Sequence, residues 1–148
     1  MSNMDFAVTL SFDIKMKVMK QVDAGKLKME HLRWDVEKMK RLLCFIMEEN
    51  IHLKYKLAAI LSRDYSKQQL EQLEKFHSSF IMQDKFNGMI KSHMLELNKL
   101  LDQESSLNRN QVIRIATMVE KIRRELNIGE AKAKKLRYDF NIYLLENK

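Results

Sequence analysis

Two pairs of side chains have the spacing of metal ligands. Glu49–His52 and Glu74–His77 each set a carboxylate three residues before an imidazole. In helical bundles two such pairs, joined by two further Glu, hold two metal ions when every ligand projects inward. Here the apolar periodicity turns them elsewhere. His52 falls on the outer side of its helix, His77 beside the core stripe, and Glu74 away from it. The pairs also stand at unequal distances from the Asp64–Ser66 turn between them, so they would not lie level across a hairpin. The histidines therefore read as surface residues, and no metal ligand is expected. His93 and Glu96 lie one helical turn apart, which by itself does not make an acid–base pair. Cys44 sits in the apolar run Leu42–Met47 and reads as a packed small residue rather than a nucleophile. No Gly-rich phosphate loop is present. Neither a catalytic residue nor a cofactor is expected, and the chain reads as non-enzymatic.

The elements that carry these residues follow from composition and spacing. Zero Pro and three Gly in 148 residues favour long uninterrupted helices. Apolar residues make up 45% and charged residues 32%, which suits an extended helical protein rather than a disordered one. The lone Cys excludes an internal disulfide and suggests a reduced, cytoplasmic setting. The start MSNMDFAVTLSF lacks the basic region of a secretory signal. The run Leu42–Met47 is far short of the ~20 apolar residues that cross a bilayer.

Met29 to Ile60 carry apolar residues spaced alternately three and four apart. Met29, Val36, Leu43, Asn50 and Leu57 occupy heptad position a, and Leu32, Met39, Ile46, Leu53 and Ile60 position d. Such a repeat keeps one seam facing a partner helix. Over these residues the pattern resembles a leucine zipper. That resemblance implies a parallel dimer in which Asn50 pairs with its twin. It also implies that Asp35 faces Lys40, and Glu49 faces Lys54, across the dimer. No basic region of the DNA-binding zipper type precedes the seam. Leu42, Met47, Leu61, Phe45, Ile51 and Tyr55 widen the apolar surface beyond a two-helix seam.

The same spacing defines two more helices. The first long helix spans about 26–63 and ends at the turn Ser62–Ser66, where Ser66 and Gln69 form a capping box. The second spans about 67–103, with a seam from Leu73 to Leu101 that turns polar at Gln83 and Asn87 and passes Gly88. Residues 104–110 form a turn in which Ser106, Asn108 or Asn110 caps the third helix, about 111–146, whose seam passes Gly129. Ahead of them, Ile14, Val18, Met19 and Val22 make one face of a short amphipathic helix bearing Lys15, Lys17 and Lys20. A loose tail precedes it and Gly25 ends it. The expected fold is all-α: an elongated antiparallel bundle of three long helices over 26–148, with coiled-coil-like packing, and a tail and short helix over 1–25. Apolar residues off the third seam, including Ile113, Met118, Ile128 and Leu145, predict self-association as a homodimer.

The net charge of +7 favours anionic partners. Lys121, Arg123, Arg124, Lys132, Lys134, Lys135 and Arg137 crowd the third helix, and Lys26, Lys28, Arg33, Lys38, Lys40 and Arg41 the start of the first. The functional expectation is a helical self-association and interaction module, structural or adaptor in kind, with a basic surface for another protein. The alternative is nonspecific nucleic-acid binding, with lysine and arginine on phosphates and Trp34 or Tyr138 on bases.

Overall fold

The computed structural model describes residues 3–103 and 108–147, with side chains of the first helix described at 13, 14 and from 28 onward. Three helices account for almost all of them: α1 (Asn3–Leu61), α2 (Lys67–Asp102) and α3 (Arg109–Glu146). No strand occurs among the described residues. The chain divides into two compact units, Met1–Val36 and Glu37–Lys148.

In the first unit the backbone is helical from Asn3 onward and stays helical through Gly25. The expected loose tail and the break at Gly25 are thus replaced by continuous helix. Glycine permits a stop but does not impose one, and its cost of about 1 kcal/mol is spread over a very long hydrogen-bonded run. The apolar and lysine faces expected over 15–24 lie outside the described side chains. Met29, Leu32 and Val36 are buried, while Trp34 is exposed.

The second unit is an antiparallel three-helix bundle. Ser66 caps α2 by accepting from the Gln69 amide at 3.2 Å, and Gln69 Oε1 accepts from the Ser66 amide at 3.0 Å. Asn108 and Gln111 make the same reciprocal cap on α3. Ser106 lies outside the described residues. The capping boxes fix where each chain reversal ends, so the seams meet at defined levels. Helices α2 and α3 run through Gly88 and Gly129 without interruption.

Apolar seams fill the core. Leu53, Leu57, Leu73, Phe80 and Phe140 form one buried cluster, with Phe76, Leu136 and Tyr143 packed against it. Phe80 meets Phe140 edge-on at 5.2 Å, and Phe76 tilts against Phe140 and Tyr143 at 5.2 and 5.4 Å. Each such pair adds about 0.5–1.5 kcal/mol to the area term. Gly129 has a specific reason to be small. A Cβ there would stand 3.1 Å from a Phe86 ring carbon, so the missing side chain lets α2 approach α3.

Of the ten seam residues on α1, nine are buried within the single chain and Ile60 is half-buried. The heptad expectation places Met29, Leu32, Val36, Met39, Leu43, Ile46, Asn50, Leu53, Leu57 and Ile60 at the seam of a dimer; in the single chain all but Ile60 are already buried. Asn50 Nδ2 donates to the Phe80 carbonyl at 3.1 Å and to Asp84 Oδ1 at 2.5 Å, both on α2. The flanking charges are also satisfied at home. Lys54 pairs with Asp84 at 2.6 Å, Lys40 with Glu37 at 3.1 Å, and Glu49 with Arg137 on α3. A second buried amide, Gln83, donates to Asn87 Oδ1 at 3.0 Å and to the Gly129 carbonyl at 3.3 Å. Among the described residues no buried side-chain nitrogen or oxygen lacks a partner.

Two stability predictions follow from this packing. Leu53→Ala is expected to cost about 2–5 kcal/mol, and Asp84→Ala about 1–3 kcal/mol by leaving Asn50 and Lys54 short of an acceptor; urea unfolding followed by circular dichroism measures both. Gly88 is exposed and a Cβ there meets nothing within 4 Å. Gly88→Ala is therefore expected to stabilise by about 0.5–1 kcal/mol. Gly129→Ala should rank below it in the same assay, because Phe86 must move.

Candidate functional site

The residues expected to carry chemistry do not converge. Glu49 is half-buried and bonded to Arg137, while His52, Glu74 and His77 are exposed. His93 turns from Glu96 to α3, where its Nδ1 donates to Glu125 Oε2 at 2.7 Å. Among the described residues no cluster of three or more His, Cys, Asp or Glu is placed to hold a metal ion. Cys44 is exposed rather than packed. On a helix a six-residue apolar run passes all the way round, so some of it must face outward.

The seven basic residues expected to form one face of α3 are divided between two. Continuing the heptad of the α3 seam, Arg123 and Arg137 take position e, and Arg137 reaches Glu49 on α1. Arg123 pairs with Glu120 at 2.6 Å, and Lys134 with Glu130 at 2.9 Å. These three are largely neutralised. Lys121 and Lys135 take position c and Arg124 position f, on the outer side of α3. All three are exposed, and none makes an ion pair among the described residues. Lys132, at g, leans toward α2 with its ammonium 4.8 Å from the centre of the Phe86 ring.

That outer face is not purely polar. Reading along c and f, the α3 residues are Lys121, Arg124, Ile128, Ala131, Lys135, Tyr138, Ile142 and Leu145. Their spacing alternates three and four, as in the buried seam. Ile128, Tyr138 and Leu145 expose 50%, 66% and 62% of their surface. A helix normally hides such a row, so its exposure makes this face the candidate site.

Beside it the α2–α3 groove opens into a cleft of about 440 Å³. Met82, Phe86 and Leu136 form its apolar wall, and Lys132, Lys135 and Asp139 stand at its edge. Gln83 closes its inner side, held by the Gly129 carbonyl. A comparable opening of about 400 Å³ lies under the α1–α2 turn, among Arg63, Tyr65 and Tyr143. It is not contiguous with the unpaired bases. Ile128 and Leu145 stand out in the sequence as apolar residues off the third seam, and the three–four spacing that joins them to Tyr138 is visible from Lys121 onward. The cleft had no sequence signal, because it depends on Phe86 crossing over Gly129.

Electrostatics separates the two basic faces in a measurable way. Arg124→Glu with Lys135→Glu should change folding stability by no more than about 0.5 kcal/mol, as exposed charges without partners do. Arg137→Glu sets two carboxylates against each other at a half-buried site, and should cost clearly more in the same denaturation experiment. Comparison of the chain with protein-family models, curated proteins and solved structures found no match.

Proposed function

We propose that the chain is a non-enzymatic helical interaction module that contacts a negatively charged macromolecule through the outer face of α3. One observation supports this reading. The exposed row Ile128, Tyr138 and Leu145 shares its three–four register with Arg124 and Lys135, exposed cations that make no ion pair among the described residues. The charge balance agrees: α3 carries nine Lys and Arg against five Asp and Glu, whereas α2 carries five of each. The buried seams of the unit and its buried polar side chains are satisfied within the chain among the described residues.

Nonspecific nucleic-acid contact is the second reading. Lys121, Arg124, Lys132 and Lys135 favour it, because they sit on one side of α3 with exposed Tyr138 beside them. Phosphate contacts of this kind fix position without reading sequence.

Binding to polyglutamate and to a DNA duplex at low salt tests both. The wild-type chain is expected to bind at least one of them. Lys121→Glu, Arg124→Glu and Lys135→Glu together should abolish that binding. If the duplex is the ligand, the logarithmic salt slope should approach about 0.9 per phosphate neutralised. Absence of binding to either polyanion, or binding untouched by the triple reversal, rejects the module as stated.

A further inference from the structure

We propose that the outer face of α3 and the adjoining α2–α3 cleft seat an acidic amphipathic helix of a partner protein. This deepens the reading above and rests on it.

Three features select that occupant. The first is register: Ile128, Ala131, Lys135, Tyr138, Ile142 and Leu145 repeat at three and four residues, the spacing that receives knobs from a second helix, with Lys135 the one charged position among them. The second is charge. Lys121, Arg124, Lys132 and Lys135 flank and interrupt the row, and none is paired with a carboxylate among the described residues. A partner helix with carboxylates beside its apolar stripe would match both. The third is the cleft. At about 440 Å³, with Met82, Phe86 and Leu136 as its wall, it is large enough for a Leu- or Phe-sized side chain, with cations at its edge. Met82 exposes 65% of its surface and can move to fit. Asp139 stands at the same edge and would repel a carboxylate placed directly against it. The partner's acids therefore belong toward Lys132 and Lys135, with its apolar side chain between.

Other occupants fit worse. A nucleic acid would use the cations but leave Ile128 and Leu145 in water. An apolar helix would bury Arg124 and Lys135 without counter-charges, which is strongly unfavourable.

The test uses the full chain and a labelled synthetic peptide of about three heptads, with Leu at a and d and Glu at e and g. Its like charges prevent it from pairing with itself, so gain of helicity reports binding. A scrambled peptide of identical composition and a DNA duplex serve as comparisons. The heptad peptide is expected to bind at least about tenfold tighter than the scrambled one. Met82→Asp and Lys135→Glu, each shown by circular dichroism to stay folded, should each weaken it about tenfold. Equal binding of both peptides overturns the helix-docking proposal while leaving the contact surface of α3 in place. Tight binding of the duplex alone overturns it in favour of nucleic acid. A chain that is dimeric by light scattering, and that Met82→Asp renders monomeric, assigns the cleft to a second copy instead. Failure of every acidic ligand to bind removes this proposal and the functional reading together.

Discussion

The second unit depends on a layer of buried polar groups set inside apolar seams. Leucine and isoleucine repeated every seven residues pack almost equally well when one helix slides by a heptad, so hydrocarbon burial holds the helices together without fixing their levels. Amides cannot slide in that way. Asn50 finds two acceptors only where it meets Phe80 and Asp84, and Gln83 finds the Gly129 carbonyl only where α2 and α3 are aligned as observed. A slipped bundle would leave these donors facing hydrocarbon, at about 1–3 kcal/mol for each. Several such groups together outweigh the small differences in packing between registers, and the observed alignment wins.

Register then decides which charges remain for the outside. With α1 and α2 held by Asn50, the Lys54 ammonium lands on Asp84. With α2 and α3 held by Gln83, His93 lands on Glu125. The acids beside the seams are consumed in this way: Asp84, Glu125 and, through Arg137, Glu49. Arg137 at e and Glu125 at g pair inward, while c and f on α3 keep bases that no carboxylate neutralises among the described residues. The uneven surface charge follows from internal alignment as much as from composition.

This explains what could be read before any coordinates. The three–four spacing marks the residues that enter the core on all three helices, from Val36 through Phe80 to Phe140, because burial on a helix depends on angle alone. Ser66 with Gln69 announces a helix start because the cap is local. What the spacing omits is the identity of the helix opposite. A seam facing its twin in a dimer and a seam facing α2 of the same chain have the same period, so Asn50 by itself did not point to its acceptors on α2. An antiparallel pairing of α1 with α2 would have put Lys54 opposite Asp84, both at position e, and that pair was the available clue. The seven-residue basic cluster on α3 looked like one face for a similar reason. Counting charges ignores the fact that Arg123 and Arg137 turn toward one edge and Lys121 and Lys135 toward the other.

The outer row of α3 sets two demands that simple partners cannot meet together. Ile128, Tyr138 and Leu145 expose hydrocarbon whose removal from water is favourable at about 25 cal/mol per Å². Arg124 and Lys135 stand in the same row, and burying either without a counter-charge costs more than a neighbouring apolar contact returns. The aliphatic stems of these two residues can lie along a covering helix while their charged ends reach its edge. Carboxylates at that edge turn the desolvation penalty into charge-assisted hydrogen bonds. For the proposed acidic helix, with its apolar centre and acidic border, the alternation of cation and hydrocarbon along α3 would act as the specificity element, ranking it above a bare polyanion and a bare apolar helix.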